Sequence, residues 1–222
     1  MARRMLRSAS CLAAALLAIP LPSLAFETPL SDTAVRDAYF LGQRRDETMA
    51  RFLDKYTKHL PPPKSGPYIS AVSFFTPFAL VIQNSSEHST GYSAQQAWLD
   101  HRNREEFVNV VVQILLTDSY PAYIPRPTGS RSGSAVGYVP RSPDFWRDFQ
   151  VRVSSKDEVL RPVTSSGEPT YSCTDDGCTL SGATLQSEFR ADVFDSVDSV
   201  TVDVTLPEGE PVSVEFDPTS LR

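Results

Sequence analysis

Cys173 and Cys178 bracket Thr-Asp-Asp-Gly, the one stretch where residue type and spacing point to defined covalent chemistry. Aspartates tolerate the early positions of a turn and Gly177 can take positive φ, so the two thiols are expected to face each other across a hairpin and form a disulfide. A ring of this size is worth roughly 2 kcal/mol of loop entropy, which pins a hairpin without holding a whole fold. Zinc would require four ligands, and the only histidines are His59, His88 and His101, scattered through segments of unlike expected structure. A redox pair would have two intervening residues and a βαβ setting, and neither is present.

No histidine is spaced to pair with a nucleophile; His59 is expected to close a helix, His88 to sit in a polar turn and His101 to lie on a short helix. Gly129-Ser-Arg-Ser-Gly133 resembles a hydrolase elbow, but Arg131 stands where the nucleophile belongs. The chain contains no phosphate-cradling glycine loop, Ser-x-x-Lys pair or His-Glu-x-x-His helix, and no cofactor is implied. Carboxylate pairs leave no sequence signature, so a carboxylate-dependent hydrolase remains the alternative to a binding role. From Glu188 to Arg222 there are nine acidic residues against two arginines. Asp192, Asp195 and Asp198, with Asp203, offer oxygens to calcium if their segment is a loop; the competing expectation is a solvated acidic face.

The opposite pole is Ser119 to Pro143, 25 residues with five prolines, three glycines, three arginines, three tyrosines and no acid. That composition argues against a packed strand or helix and for a long loop. Tyr120, Tyr123, Arg126, Arg131, Tyr138 and Arg141 are its candidate contact residues, because guanidinium forks and tyrosine faces suit an anionic or sugar-like ligand or an acidic envelope protein.

The elements around these groups are legible in part. Ser31 caps a helix with Ala34, Val35, Ala38 and Leu41 on one stripe. Asp46 opens a second, reaching Leu60 through Met49, Phe52, Leu53 and Tyr56, with Asp54 and Lys58 paired one turn apart, and Pro61-Pro62-Pro63 ends it. Residues 68–84 are rich in β-branched and aromatic types and read as strand interrupted at Pro77. Ser93 and Gln96 form a capping box for a helix over 94–104 that buries Ala94, Ala97 and Trp98. Phe107 to Thr117 reads as a strand buried on both faces, and Phe145 to Ser154 and Asp157 to Val163 as further strands. Val200, Val202, Val204 and Leu206 alternate opposite Val212, Val214 and Phe216 across a Pro-Glu-Gly-Glu turn, a β-hairpin.

Residues 1–25 have the three-part layout of a cleaved export signal: three arginines without an acid, an apolar run from Cys11 to Leu21, and Ser23 and Ala25 before the expected cleavage point. The run is shorter than a membrane span, and no later segment is long and apolar enough to be one. Arg3-Arg4 leaves the choice between the general and twin-arginine routes open, as it leaves periplasmic retention against secretion. Cleavage would leave 18 basic against 27 acidic residues, a balance that argues against nucleic acid as a partner.

Two segments, LSDTAVRDAYFLGQR and GYSAQQAWLDHRNRE, resemble a group of exported bacterial proteins of unknown function. The resemblance implies a bacterial cell envelope and carries no active site with it. The expected organisation is a signal over 1–25, a helical hairpin over 26–63 and a β-rich domain over 64–222 containing the 119–143 loop. The expected fold is α+β and mainly β, a β-sandwich or partly closed barrel with the N-terminal helical hairpin and one short inserted helix. Its expected role is binding or scaffolding; the alternative hydrolase would use a cleft beside the loop.

Overall fold

The structure, a computed structural model, describes residues 26–88, 90–127, 136–156 and 158–222. The expected export signal and Arg131 lie outside the described residues. The fold is α+β and mainly β. Among the described residues, four α-helices, α1 (Asp32–Arg44), α2 (Glu47–Asp54), α3 (Pro77–Glu87) and α4 (Ala94–Arg102), accompany eleven strands. The first strands are β1 (Thr57–His59), β2 (Tyr68–Phe75) and β3 (Phe107–Leu115). They join β9 (Gly177–Arg190) and β8 (Thr164–Thr174) in one antiparallel sheet of order β1-β2-β3-β9-β8. A second sheet has the order β11-β10-β6-β7, from β6 (Gln150–Ser155), β7 (Glu158–Leu160), β10 (Val200–Thr205) and β11 (Val212–Phe216). Two strands stand apart as a ribbon, β4 (Tyr123–Pro127) and β5 (Val136–Pro140).

The large sheets are separate, so the β layer is a sandwich and not a closed barrel. Alternation decides which residues meet between them. Val72 and Phe74 of β2, the even-numbered residues Val108 to Ile114 of β3 and Leu185 of β9 enter one core with Val153, Val202, Val204, Val214 and Phe216. Phe74 stacks on Phe216 at 5.6 Å between centroids. The hairpin register places Val200 opposite Phe216, Val202 opposite Val214 and Val204 opposite Val212, as the alternation requires.

The helices form a second core of Ala34, Val35, Ala38, Phe78, Ile82 and Ala97. Ser31 accepts from the Ala34 amide and Asp46 from Thr48 and Met49, fixing the starts of α1 and α2. The main partner of α1 is α3, and their approach is close enough that a Cβ on Gly42 would stand 2.4 Å from the Ile82 carbonyl oxygen.

Several sequence expectations are corrected. Residues 77–87 are helix, not strand: Thr76 caps it, Pro77 occupies its first turn, and Phe78, Ile82 and Ser85 share its buried side. Proline there starts a helix, and the same residue types that favour strands pack on α1. The second helix stops at Asp54 because Thr57 and His59 pair with Ser73 and Ala71 of β2. Tyr56 and Leu60 consequently leave the helical stripe, Asp54 pairs with His59 instead of Lys58, and His59 lies on a strand. Strand β3 is buried along its inner face, but on its outer face Asn109 is buried, Phe107 and Val111 are half-buried, and Gln113 and Leu115 are exposed. Ala94 is only half-buried, and Gln96 completes half a capping box, since its side chain bonds Asp100. Residues 143–148 form a 3₁₀ turn, so the following strand starts at Gln150.

Candidate functional site

The six candidate contact residues do not make one surface. Thr117 donates to the Gly66 carbonyl at 2.7 Å and Ser119 accepts from the Gly66 amide at 2.8 Å, which ties the foot of the loop to the sandwich. Tyr120 is 2 % exposed, its ring edge-on to Phe149 and tilted on Phe145. The Arg141 guanidinium lies 3.5 Å from the Tyr120 ring centroid, and its Nε donates to the Pro121 carbonyl at 2.9 Å. Burial pushes the Tyr120 hydroxyl up, and Arg141 only partly offsets it, so this tyrosine stays neutral at ordinary pH. Tyr120 and Arg141 are therefore a clamp at the base of the loop.

From that clamp rises the ribbon, which corrects the expectation of a long loop over 119–143: part of it is paired strand, though exposed and not packed. Proline is tolerated there because each strand of a two-stranded ribbon is an edge. Tyr123 pairs with Pro140, Pro125 with Tyr138, Ile124 with Val139 and Arg126 with Gly137. Directly opposed residues share a face, so Tyr123, Pro125, Tyr138 and Pro140 lie on one side and Ile124, Arg126 and Val139 on the other. Tyr123 is 52 % and Tyr138 69 % exposed, and both prolines are exposed. Rigid rings on rigid backbone thus face solvent together.

Cys173 and Cys178 are bonded, directly opposed in the β8–β9 hairpin, with Gly177 at φ 126° completing the turn. The tip around them is exposed on all sides and reaches past the end of β3, where Leu115 pairs with Gly182. The aspartates proposed for calcium are otherwise engaged. Asp192 is bonded by Arg190 at 2.9 Å, which holds its carboxyl below the usual range, and Asp198 pairs with Lys156 at 3.2 Å. Asp195 closes the 3₁₀ turn over Ala191–Phe194, and Asp203 stands opposite Arg152 in the β10–β6 register. Among the described residues, no three His, Cys, Asp or Glu side chains come together as metal ligands would.

The structure adds a cleft that single-sequence reasoning missed. About 390 Å³ lies between the start of the described chain, the end of α4 and Arg190. Glu106 is its centre: it accepts from Thr28 Oγ1 at 2.6 Å, from the Leu30 amide at 2.6 Å and from His101 Nε2 at 2.7 Å. Both side chains of the His101–Glu106 pair are largely buried. Burial alone would raise the Glu106 carboxyl, but the donors from His101, Thr28 and Leu30 outweigh it and hold it below the usual glutamate value. Around it Trp98 donates to Asp32 at 2.6 Å, Arg102 stacks on Trp98, and Arg190 bridges Glu105 and Asp192. The only sequence signal was the five-residue step from a helix-end histidine to a strand-start acid.

An imidazole beside a carboxylate suggests acid–base chemistry, but among the described residues neither His101–Glu106 nor His59–Asp54 has the next member of a relay. The hydroxyl nearest Glu106 is donated to that carboxylate and not to the imidazole. In the second pair, His59 bonds Asp54 at 3.0 Å, while the neighbouring hydroxyls of Thr57 and Ser73 bond each other at 2.8 Å. Among the described residues, neither the Glu106 cleft nor the groove lined by Asp54 and His59 takes a wall from the ribbon. No described helix is long and apolar enough to cross a membrane. No protein-family model matches the chain, and no curated protein matches it in sequence.

Proposed function

We propose that the protein is an exported binding module of the bacterial envelope, which meets an acidic protein partner through the tyrosine–proline face of the β4–β5 ribbon. One observation carries the reading: Tyr123 and Tyr138 are exposed in diagonal register on one face of a ribbon whose foot is clamped by Tyr120 and Arg141. Residues of this kind dominate protein interfaces because large amphipathic rings with few torsions lose little freedom on contact. The charge favours an acidic partner through the field of the whole segment and not through contacts on this face: 119–143 carries three arginines and no acid in a chain that is otherwise acidic, while Arg126 lies on the ribbon's other side and Arg141 is held against Tyr120. The disulfide supports export, because such a bond persists outside the reducing cytoplasm.

The test is the double substitution Tyr123→Ala/Tyr138→Ala in the exported protein. The melting temperature should stay unchanged, because neither side chain belongs to a core. Affinity for the co-purifying partner should fall by about 30-fold or more, the effect of losing one interfacial hot spot. Unchanged affinity in a folded variant would refute the reading.

A further inference from the structure

We propose that the groove between the outer face of the five-stranded sheet and helices α2 and α3 is a binding site for a neutral saccharide. It is a second site, independent of the ribbon. The groove has a volume of about 640 Å³. Its floor is formed by β2, β3 and β9, and α3 stands over it as one wall. Five carboxamides line it: Gln83 and Asn84 from α3, Asn109 and Gln113 from β3, and Gln186 from β9. The whole chain contains only ten asparagines and glutamines, so half of them converge on this surface.

Asn109 is the telling member. Asparagine is a poor strand residue, yet this one sits within β3 at 8 % exposure, and its Oδ1 is buried without a hydrogen-bond partner. The terminal torsion of asparagine is soft, so an entering ligand can turn that oxygen onto a donor of its own. A carboxamide offers a donor and an acceptor together, which matches a sugar hydroxyl that is also both. Half-buried Phe75 and Val111 lie on the same floor and give the C–H face of a pyranose an apolar seat. The titratable residues of the lining are Asp54, His59 and Glu87, of which the first two bond each other. A charged ligand would find no converging countercharge there, whereas a neutral polyol needs none.

The test is an NMR titration of the purified protein with cellotetraose and, separately, tetra-N-acetylchitotetraose, which distinguishes a hydroxyl sugar from an acetamido sugar. At least one should saturably shift the backbone amides of Phe75, Asn109 and Val111. Gln113→Ala/Gln186→Ala should weaken that binding by about tenfold or more while leaving the melting temperature unchanged. If the double variant is unfolded, Gln113→Ala alone, at an exposed position, should still weaken it measurably. The proposal is overturned if neither sugar perturbs those amides, or if binding persists undiminished in a folded variant. Tyr123→Ala/Tyr138→Ala should leave the titration unaltered, so failure here and failure of the ribbon reading are separate results.

Discussion

Replacing Glu106 separates a structural clasp from a catalytic carboxylate. Its two oxygens take three short hydrogen bonds, two of which hold Thr28 and Leu30 seventy or more residues away in the chain. Hydrogen bonds to a charged group contribute roughly 1.5–3 kcal/mol each, but water recovers part of this in a cleft open to solvent. Glu106→Ala is therefore expected to cost about 2–4 kcal/mol, and Glu106→Gln, which keeps an acceptor, about 1–2 kcal/mol. Because folding lowers the Glu106 carboxyl, its contribution is fully present above the unfolded glutamate value of about 4.3 and is lost as pH falls through the lower folded value. Urea titrations at neutral pH and at steps from pH 5 downward measure both quantities. The wild type should lose stability more steeply with acid than Glu106→Gln, and the two curves should converge once the carboxylate is protonated. Parallel curves, or a cost below about 0.5 kcal/mol for Glu106→Ala, would show that the cleft does not hold the N-terminal segment in place.

Two further substitutions test the frame. Gly42→Ala places a methyl 2.4 Å from the Ile82 carbonyl oxygen and 2.8 Å from the Ser85 Cβ, so α1 must move off α3. Overpacking costs up to about 3 kcal/mol and alanine returns about 1 kcal/mol of helix propensity, leaving a net loss of about 2 kcal/mol in denaturant unfolding, against a predicted gain if the helices were loosely packed. Cys173→Ser/Cys178→Ser should lower stability by no more than about 2 kcal/mol and leave the fold intact by circular dichroism, because the bridge closes a short ring in an exposed tip; unfolding at room temperature would contradict this.

Residues whose determinants are local were legible in the sequence. Ser31 and Ser93 cap helices where expected, and the valines of β10 and β11 meet in the register that alternation implies. The disulfide hairpin needed only a turn and two cysteines. Where tertiary pairing decides, local reading failed. The strand-like run Phe78 to Ile82 becomes helix because it packs on α1, and Thr57 to His59 leaves a helical pattern to become the edge of a sheet. Tyr120 and Tyr138 share a composition, yet one is a buried clamp and the other an exposed ring, a difference set by the sandwich beneath them. The cleft and the groove were invisible for the same reason, since Thr28 reaches Glu106 and Gln83 and Gln186 line one groove only through the assembled layers.

The central claim, that the ribbon is the contact surface, is tested most directly by placing a photo-crosslinking residue at Tyr138 and, as a control on an exposed hydrophobic of the four-stranded sheet, at Val159. Crosslinking in intact cells should yield a discrete adduct with an acidic protein from position 138, diminished by Tyr123→Ala, weakened by added salt, and absent from position 159. No adduct from position 138, or an equal adduct from both positions, would contradict it.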